Sequence, residues 1–317
     1  MRLLAVQRTF IVGCPRSGTT FMQALLARHP DVYTLPETAF FEHLHADLEW
    51  RWGDHHARPR PRRWRQQRLG LMRKQTRLSI APLLHSLGGE RAPIKRIPFS
   101  ANACATTFID QLDALALRAD CSLWVEKTPN HLLYLPEIEA CAPGARFIHV
   151  IRRGTDVLAS LADAYLRFEN DDAFGGGSVH WARRWNRAMQ IHEACLGRAH
   201  HAFVFLEDLV REPDDEWVRI CQFLDLRPDI RLEDACSQTI ADLEHEPWKR
   251  NAISGLPQPM ENKADDLFTA KFQLWLDDHL ASYDNLRAKC LLSRGGAAHV
   301  NSYRNSGKRM ASVSGSS

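Results

Sequence analysis

The chain of 317 residues lacks the uninterrupted apolar run of about 18 residues that a transmembrane helix needs, so none is expected. Its apolar start, residues 1–13, has no small-residue cleavage site and continues directly into a glycine loop. This favours a buried first strand over a signal peptide. With 16 prolines and 17 glycines, the chain is neither collagen-like nor of low complexity. Its composition, 44% hydrophobic and 25% charged, is that of an ordinary globular protein.

The cysteines show no metal or disulfide pattern. No two of them form a CxxC pair, and none has a metal-binding spacing to a histidine. In a chain without a secretory signal, such cysteines are expected to be reduced and mostly buried, which predicts a cytoplasmic protein without a bound metal. The eight are Cys14, Cys104, Cys121, Cys141, Cys195, Cys221, Cys236 and Cys290.

Acidic residues are scarce in one stretch of the chain. The net charge is only +3, but residues 51–77 hold nine arginines and Lys74 against the single acid Asp54. This asymmetry predicts either a surface for an acidic partner, rather than a general nucleic-acid coat, or a solvated helix on an insertion. Trp50, Trp52 and Trp64 either stack on a bound ring or dock the insertion on the core.

Strand-like runs alternate with helical patterns along most of the chain. Strands are predicted at 9–12, 123–126, 145–151 and 202–206, and helices from Thr19, His131, Gly154 and Pro213. This alternation predicts an α/β fold, a mostly parallel sheet flanked by helices, in a single domain of residues 1–292. The arginine-rich stretch predicts a helical insertion at about 45–100. Residues 293–317 are rich in Gly, Ser, Asn and Arg, and we expect a disordered tail.

The first strand ends in a glycine loop, Gly13-Cys-Pro-Arg-Ser-Gly18, which Thr19 and Thr20 follow. Glycines let backbone N–H groups turn toward a phosphate, and the N-terminus of the next helix adds positive potential. A Walker A loop has lysine after its second glycine, where this chain has Thr19; the loop's own cation is Arg16. The loop therefore predicts an anion site in a P-loop-like fold that is unsuited to ATP hydrolysis. The alternative is a chance glycine turn.

Two segments share features with one family. The loop Pro15-Arg-Ser-Gly-Thr-Thr20 resembles the 5′-phosphosulfate loop of the sulfotransferases that use 3′-phosphoadenosine-5′-phosphosulfate (PAPS). Arg152-Arg-Gly-Thr-Asp-Val-Leu-Ala-Ser160 resembles that family's 3′-phosphate motif, an arginine eight residues ahead of a serine. The resemblance implies PAPS as the donor, with its 3′-phosphate held by Arg152 and Ser160. The 5′ end would be bound by Gly13, Pro15, Arg16, Ser17, Gly18, Thr19 and Thr20.

Two weaker similarities concern the nucleotide. Leu206 stands where the family frequently has an aromatic residue that contacts the nucleotide. Trp248-Lys-Arg-Asn251 resembles a late basic element that closes over the nucleotide in some members, which implies Lys249 and Arg250 as further nucleotide-binding residues. The alternative for this element is a solvated charge cluster.

Sulfuryl transfer to an alcohol needs in-line attack on sulfur, removal of the hydroxyl proton and stabilisation of charge on the leaving phosphate. No metal is required when cations are preplaced. Arg16 is one candidate catalytic cation, and Lys127, in a Glu-Lys-Thr-Pro context that the family shares, is the second.

Glu37 is the candidate general base. It lies in an apolar segment, where phenylalanines and nearby cations can tune its carboxylate toward neutrality. The order Arg16-Ser-Gly-Thr-Thr20, His29-Pro-Asp-Val32 and Glu37 resembles the tyrosylprotein sulfotransferases, whose glutamate base it implies for this chain. His131 is the rival base, because some members use histidine.

These features together predict a PAPS-dependent sulfotransferase whose acceptor bears a hydroxyl group: a peptide tyrosine, a glycan, a lipid or a small molecule. An acidic acceptor would be bound by residues 51–77, and an anionic lipid headgroup there would place the protein at a membrane surface. The alternatives are a P-loop kinase of small molecules, which the missing lysine disfavours, and a nucleotide-binding module without turnover.

Overall fold

The computed structural model describes most of the chain in five long pieces. These are residues 6–58, 70–88, 97–168, 175–228 and 263–293, with residues 238, 240–241, 243–244, 246 and 249–253 between the last two. The predicted disordered tail lies outside the described residues except for its first residue, Ser293, which ends a helix.

A single five-stranded sheet forms the centre of the described part of the molecule. Its order is β2-β3-β1-β4-β5, and every neighbouring pair is parallel. The strands are β1 (Gln7–Gly13), β2 (Val32–Thr34), β3 (Leu123–Lys127), β4 (Arg146–Ile151) and β5 (His201–Phe205). The predicted parallel α/β fold is confirmed, and β2 is an additional strand that three residues are too short to reveal by pattern.

Helices cover both faces of this sheet. They are α1 (Thr19–Leu26), α2 (Phe40–His45), α3 (Leu48–Arg51), α4 (Lys74–Gly88), α5 (Ala101–Arg118), α6 (Leu135–Cys141), α7 (Gly154–Arg167), α8 (Gly177–Ala194), α9 (Leu206–Arg211), α10 (Pro213–Phe223), α11 (Arg250–Ile253), α12 (Lys263–Leu267), α13 (Ala270–His279) and α14 (283–293). None of the described helices is long and apolar enough to cross a membrane.

Two predicted boundaries differ from the structure. The helix expected from His131 is a 3-10 helix, Pro129–Tyr134, followed by α6, because prolines at positions 129 and 136 each favour a new helix start. Leu206 was predicted as the end of a strand and instead begins α9.

The core has two parts because successive strand residues point to opposite faces of the sheet. On one face Phe10 packs edge-on against Trp124 and stacks on Phe147, with ring centroids 5.2 and 5.7 Å away. On the other face Ile11 and Val150 belong to a second apolar cluster. A sheet covered on both faces leaves its strand ends as the place for a site.

The arginine-rich insertion is described at residues 51–58 and 70–77, and its start is anchored to the body of the protein. Trp52 is buried in the main core cluster, which supports the docking role for this tryptophan. Arg51 donates hydrogen bonds to Asp47 and to Glu137, and its guanidinium lies 4.2 Å from the ring centre of Tyr134. Trp64 lies outside the described residues.

Candidate active site

The glycine loop connects the central strand β1 to α1. Its backbone turns through Arg16 at φ 71° and Gly18 at φ 94°, and the Ser17 N–H donates to the Cys14 carbonyl at 3.1 Å. Gly18, the N-cap residue of α1, has no side chain that could cap this helix. The first N–H groups of a helix have no intrahelical partner, so this end of α1 can receive an anion.

Two glycines allow the close packing of this loop. A Cβ atom at Gly13 would lie 2.4 Å from the Val150 carbonyl oxygen on β4, so only glycine lets the strands run this close. A Cβ atom at Gly18 would lie 2.7 Å from Leu206. Leu206 occupies the position where the family frequently has an aromatic residue, and here it packs against the glycine loop.

The second predicted phosphate turn meets the first. Arg16 Nε donates to Ser160 Oγ at 3.1 Å, and Arg152 Nη1 donates to the Arg16 carbonyl at 3.4 Å. Burial and the neighbouring charge of Arg152 lower the pKa of Arg16 to about 10. Arg152 Nε is buried, and among the described residues it has no hydrogen-bond partner. The two half-buried guanidinium groups thus form a positive site, and among the described residues the Arg152 Nε donor is unused.

A cluster of four charged side chains lies at the end of the neighbouring strand β3. Lys127, the last residue of β3, is fully buried and pairs with Glu37, which follows β2. Lys249 Nζ donates to the same Glu37 oxygen at 2.9 Å and also pairs with Glu246. Because β3 pairs with β1, Lys127 lies at the same edge of the sheet as the start of the glycine loop.

The pKa of Glu37 moves opposite to the sequence-based expectation. Burial alone would raise this pKa, but the charges and hydrogen bonds of Lys127 and Lys249 outweigh burial and lower it to about 2. The expectation of a carboxyl tuned toward neutrality is therefore wrong. Glu37 is an ionised carboxylate held between two ammonium groups.

His131 is the centre of a buried polar network. Its Nδ1 lies 2.8 Å from Glu126 Oε2, and the Phe41 N–H donates to its Nε2 at 3.3 Å. Thr38 and Thr128 donate to the other oxygen of Glu126, at 2.7 and 2.6 Å. Nε2 accepts from Phe41, so Nδ1 carries the proton of a neutral ring and donates to Glu126. Both ring nitrogens are engaged, so the rival base His131 instead holds the turn that follows Glu37.

These strand ends meet at one edge of a parallel sheet, and comparison with known proteins identifies the fold. A model of the Sulfotransferase family matches residues 8–229, more than half of the chain. The chain belongs to the sulfotransferase family.

Individual relatives are distant. The chain is 28% identical over 222 residues to the protein-tyrosine sulfotransferase of Drosophila melanogaster, covering 68% of this chain and 38% of the relative. It is 26% identical over 226 residues to protein-tyrosine sulfotransferase A of Caenorhabditis elegans, covering 68% of this chain and 49% of the relative. The chain thus spans half or less of the length of these two relatives. A crystal structure of a sulfotransferase from Alicyclobacillus acidocaldarius matches with TM-score 0.49 and 14% identity, covering 90% of this chain and 96% of that one.

In this member of the family the structure brings together most of the predicted site residues. Arg16, Arg152 and Ser160 are in direct contact, and Lys127 and Lys249 share Glu37. Arg250 is different: it is exposed at the start of α11, and its role in nucleotide binding stays a prediction.

Two carboxylates of this candidate site were not predicted from the sequence. Glu126 sits within the apolar run of β3 and is fully buried. A buried charged residue needs a partner, so the position of Glu126 in an apolar run was enough to predict a buried polar contact there. Glu246 could not be predicted, because it belongs to the site only through Lys249, and the fold alone brings Lys249 to Glu37.

Proposed function

We propose that the protein is an enzyme that transfers the sulfuryl group of PAPS to a hydroxyl acceptor, with Glu37 as general base. The observation that carries this proposal is the convergence of the glycine loop after β1 and the Glu37 carboxylate after β2, on the two strands that flank β3 and its Lys127. PAPS supplies an activated sulfuryl group with a phosphate leaving group. All other requirements are binding, charge stabilisation and proton transfer.

The residues present fit a donor with phosphates at two ends. Arg152 Nε is a buried donor without a partner among the described residues, and the N-cap residue of α1, Gly18, has no side chain that could cap the helix. Arg152 and Ser160 would hold the 3′-phosphate. The loop of residues 13–20 would hold the 5′ end, with Arg16 and Lys127 as the cations that stabilise developing negative charge.

Because two lysines lower the pKa of Glu37, binding of the donor beside them makes Glu37 a stronger base. In the protein alone, Lys127 and Lys249 hold the pKa of Glu37 at about 2, too low for an efficient base near neutral pH. An anion bound beside Lys127 weakens the lysine's hold on Glu37 and raises this pKa. Glu37 then accepts the hydroxyl proton of the acceptor at a carboxylate oxygen.

A peptide tyrosine is the acceptor that we favour. The two relatives described above are named protein-tyrosine sulfotransferases. A phenol, with a pKa of about 10, loses its proton more readily than an aliphatic alcohol, which suits a carboxylate base. The positive charge of residues 51–77 suits acidic residues around that tyrosine.

The test is incubation of the full chain with radiolabelled PAPS and a peptide in which acidic residues flank one tyrosine. We expect label in this peptide and none in the matched phenylalanine peptide. Transfer to glycan or lipid fractions of a cell extract instead would keep the sulfotransferase and overturn the tyrosine acceptor.

The same preparation separates the alternatives. We expect 3′-phosphoadenosine-5′-phosphate (PAP) to raise the melting temperature, and ATP with Mg²⁺ to have no such effect. Stabilisation by ATP with Mg²⁺ but not by PAP would indicate the kinase. PAP binding without transfer to any acceptor would indicate the module without turnover.

A further inference from the structure

A second cluster of titratable side chains lies where β4, β5 and the C-terminus of α8 meet. His149 Nε2 is 2.8 Å from His201 Nδ1, and Cys195 Sγ lies within 4.8 Å of both histidine ligand atoms. All three side chains are buried. His149 is three residues before Arg152, which places the cluster about 10 Å along β4 from the strand end where Arg152 contacts the glycine loop.

The hydrogen bonds around the cluster assign its protons. His201 Nε2 lies 3.2 Å from the Glu139 carboxylate, which can only accept, so this nitrogen carries the proton. The lone pair of His201 Nδ1 then accepts from His149 Nε2, and a metal ion would replace the proton between these two nitrogens. His149 Nδ1 lies 2.9 Å from His192 Nδ1, which can accept its proton when Nε2 coordinates. Metal-bound histidines commonly donate their second N–H group to such an outer partner.

We propose that His149, Cys195 and His201 bind one Zn²⁺ ion through Nε2, Sγ and Nδ1. Two imidazoles and a thiolate are the donor set of a borderline transition metal, and carboxylate-seeking Mg²⁺ or Ca²⁺ would not select it. Tetrahedral Zn²⁺ with ordinary bond lengths separates its nitrogen and sulfur ligands by about 3.5 Å. In the structure the two histidine nitrogens are 2.8 Å apart, and Cys195 Sγ lies within 4.8 Å of both. Small side-chain movements would bring all three atoms to the separation that Zn²⁺ needs.

The ligands bind Zn²⁺ as two neutral imidazoles and one thiolate. Binding of Zn²⁺ forms the Zn–S bond and releases the thiol proton to solvent. Arg198, beside Cys195, is paired with Glu139 at 2.7 Å, so it adds little net charge that would oppose the ion.

The expected role of this ion is structural. It would join β4, the start of β5 and the residue that ends α8, and so stiffen the strand that carries Arg152. No sequence motif predicts this site, because the fold alone brings together ligands that are scattered along the chain.

The test uses the full chain produced in medium supplemented with Zn²⁺, and in parallel with Co²⁺ as a spectroscopic substitute. We expect one ion per chain, a sulfur-to-cobalt charge-transfer band, and a higher melting temperature than after removal of the metal. Cys195→Ser should lose the band and the stabilisation. Cys104→Ser is the matched control, since Cys104 is equally buried but lies on α5, and it should keep both.

X-ray absorption of the zinc-loaded wild type gives a readout that needs no variant. One sulfur and two imidazole nitrogens among the ligands are expected, and this result supports the site even if Cys195→Ser does not fold. Wild-type protein without bound metal, or a ligand shell without sulfur, overturns the proposal. Equal metal content in folded Cys195→Ser and wild type also overturns it.

Discussion

Replacing Glu37 with glutamine tests the proposed chemistry most directly. The substitution keeps the size of the side chain and removes its charge and its capacity to take a proton. A positioned general base contributes about 10²- to 10⁴-fold to rate, so kcat should fall by that factor, about 3–5 kcal/mol in activation free energy. PAP should bind no more weakly, because glutamine brings no negative charge to compete for Lys127 and Lys249.

The same substitution has a cost in stability that the structure predicts. Lys127 is fully buried, and loss of the carboxylate partner of a buried ion pair costs about 3–5 kcal/mol when the remaining group stays charged. Burial already lowers the pKa of Lys127, so release of its proton limits this cost. We therefore expect a lower melting temperature for Glu37→Gln, which PAP restores in part.

The assay is single-turnover sulfuryl transfer from labelled PAPS, with PAP affinity measured by calorimetry on the same samples. Glu246→Gln is the control: Glu246 also pairs with Lys249, and its side chain is 24% exposed against 25% for Glu37. This control should retain kcat. Wild-type turnover by Glu37→Gln would remove Glu37 from the mechanism, and an equal loss in Glu246→Gln would show that the effect is electrostatic rather than proton transfer.

Three further predictions concern charge. Lys249→Met should raise the pKa of Glu37 and move the acid limb of kcat/KM to higher pH, which a pH–rate profile measures; an unmoved limb would contradict the assigned cause. Arg152→Ala should weaken PAP about 10- to 100-fold in calorimetry, the value of a lost charged hydrogen bond, and leave adenosine 5′-phosphosulfate unaffected because it lacks the 3′-phosphate. The metal-free protein should lose stability in chemical denaturation as pH falls from 6.5 toward 4. Burial lowers the pKa of His192 to about 3 and that of His201 to about 4, so the unfolded chain binds protons that the folded one excludes; a flat profile would contradict this.

The positions of four strands, the phosphate loop and its helix could be predicted because their signals are local. A run of buried strand residues, a glycine turn and a one-sided helix each depend on neighbours within a few positions. The loop cation Arg16 and the pair Arg152 and Ser160 were also visible, since their spacing is fixed by one loop or one strand-to-helix turn. The strand β2 could not be predicted, because three residues are too few to show the alternation of apolar and polar residues that marks a strand.

The state of the catalytic groups depended on the tertiary structure. Glu37, Lys127 and Lys249 were each predicted, but not the contact between Lys249 and Glu37. Lys249 reaches Glu37 from 212 residues away, and this contact helps to reverse the expected shift in the pKa of Glu37. A pKa depends on burial and on distances between charges, and neither follows from spacing in sequence. The same holds for His149, Cys195 and His201, which have no common motif and meet only because β4, β5 and α8 pack together. Short-range patterns therefore determined the architecture and the anion site, whereas long-range packing decided which charges face one another.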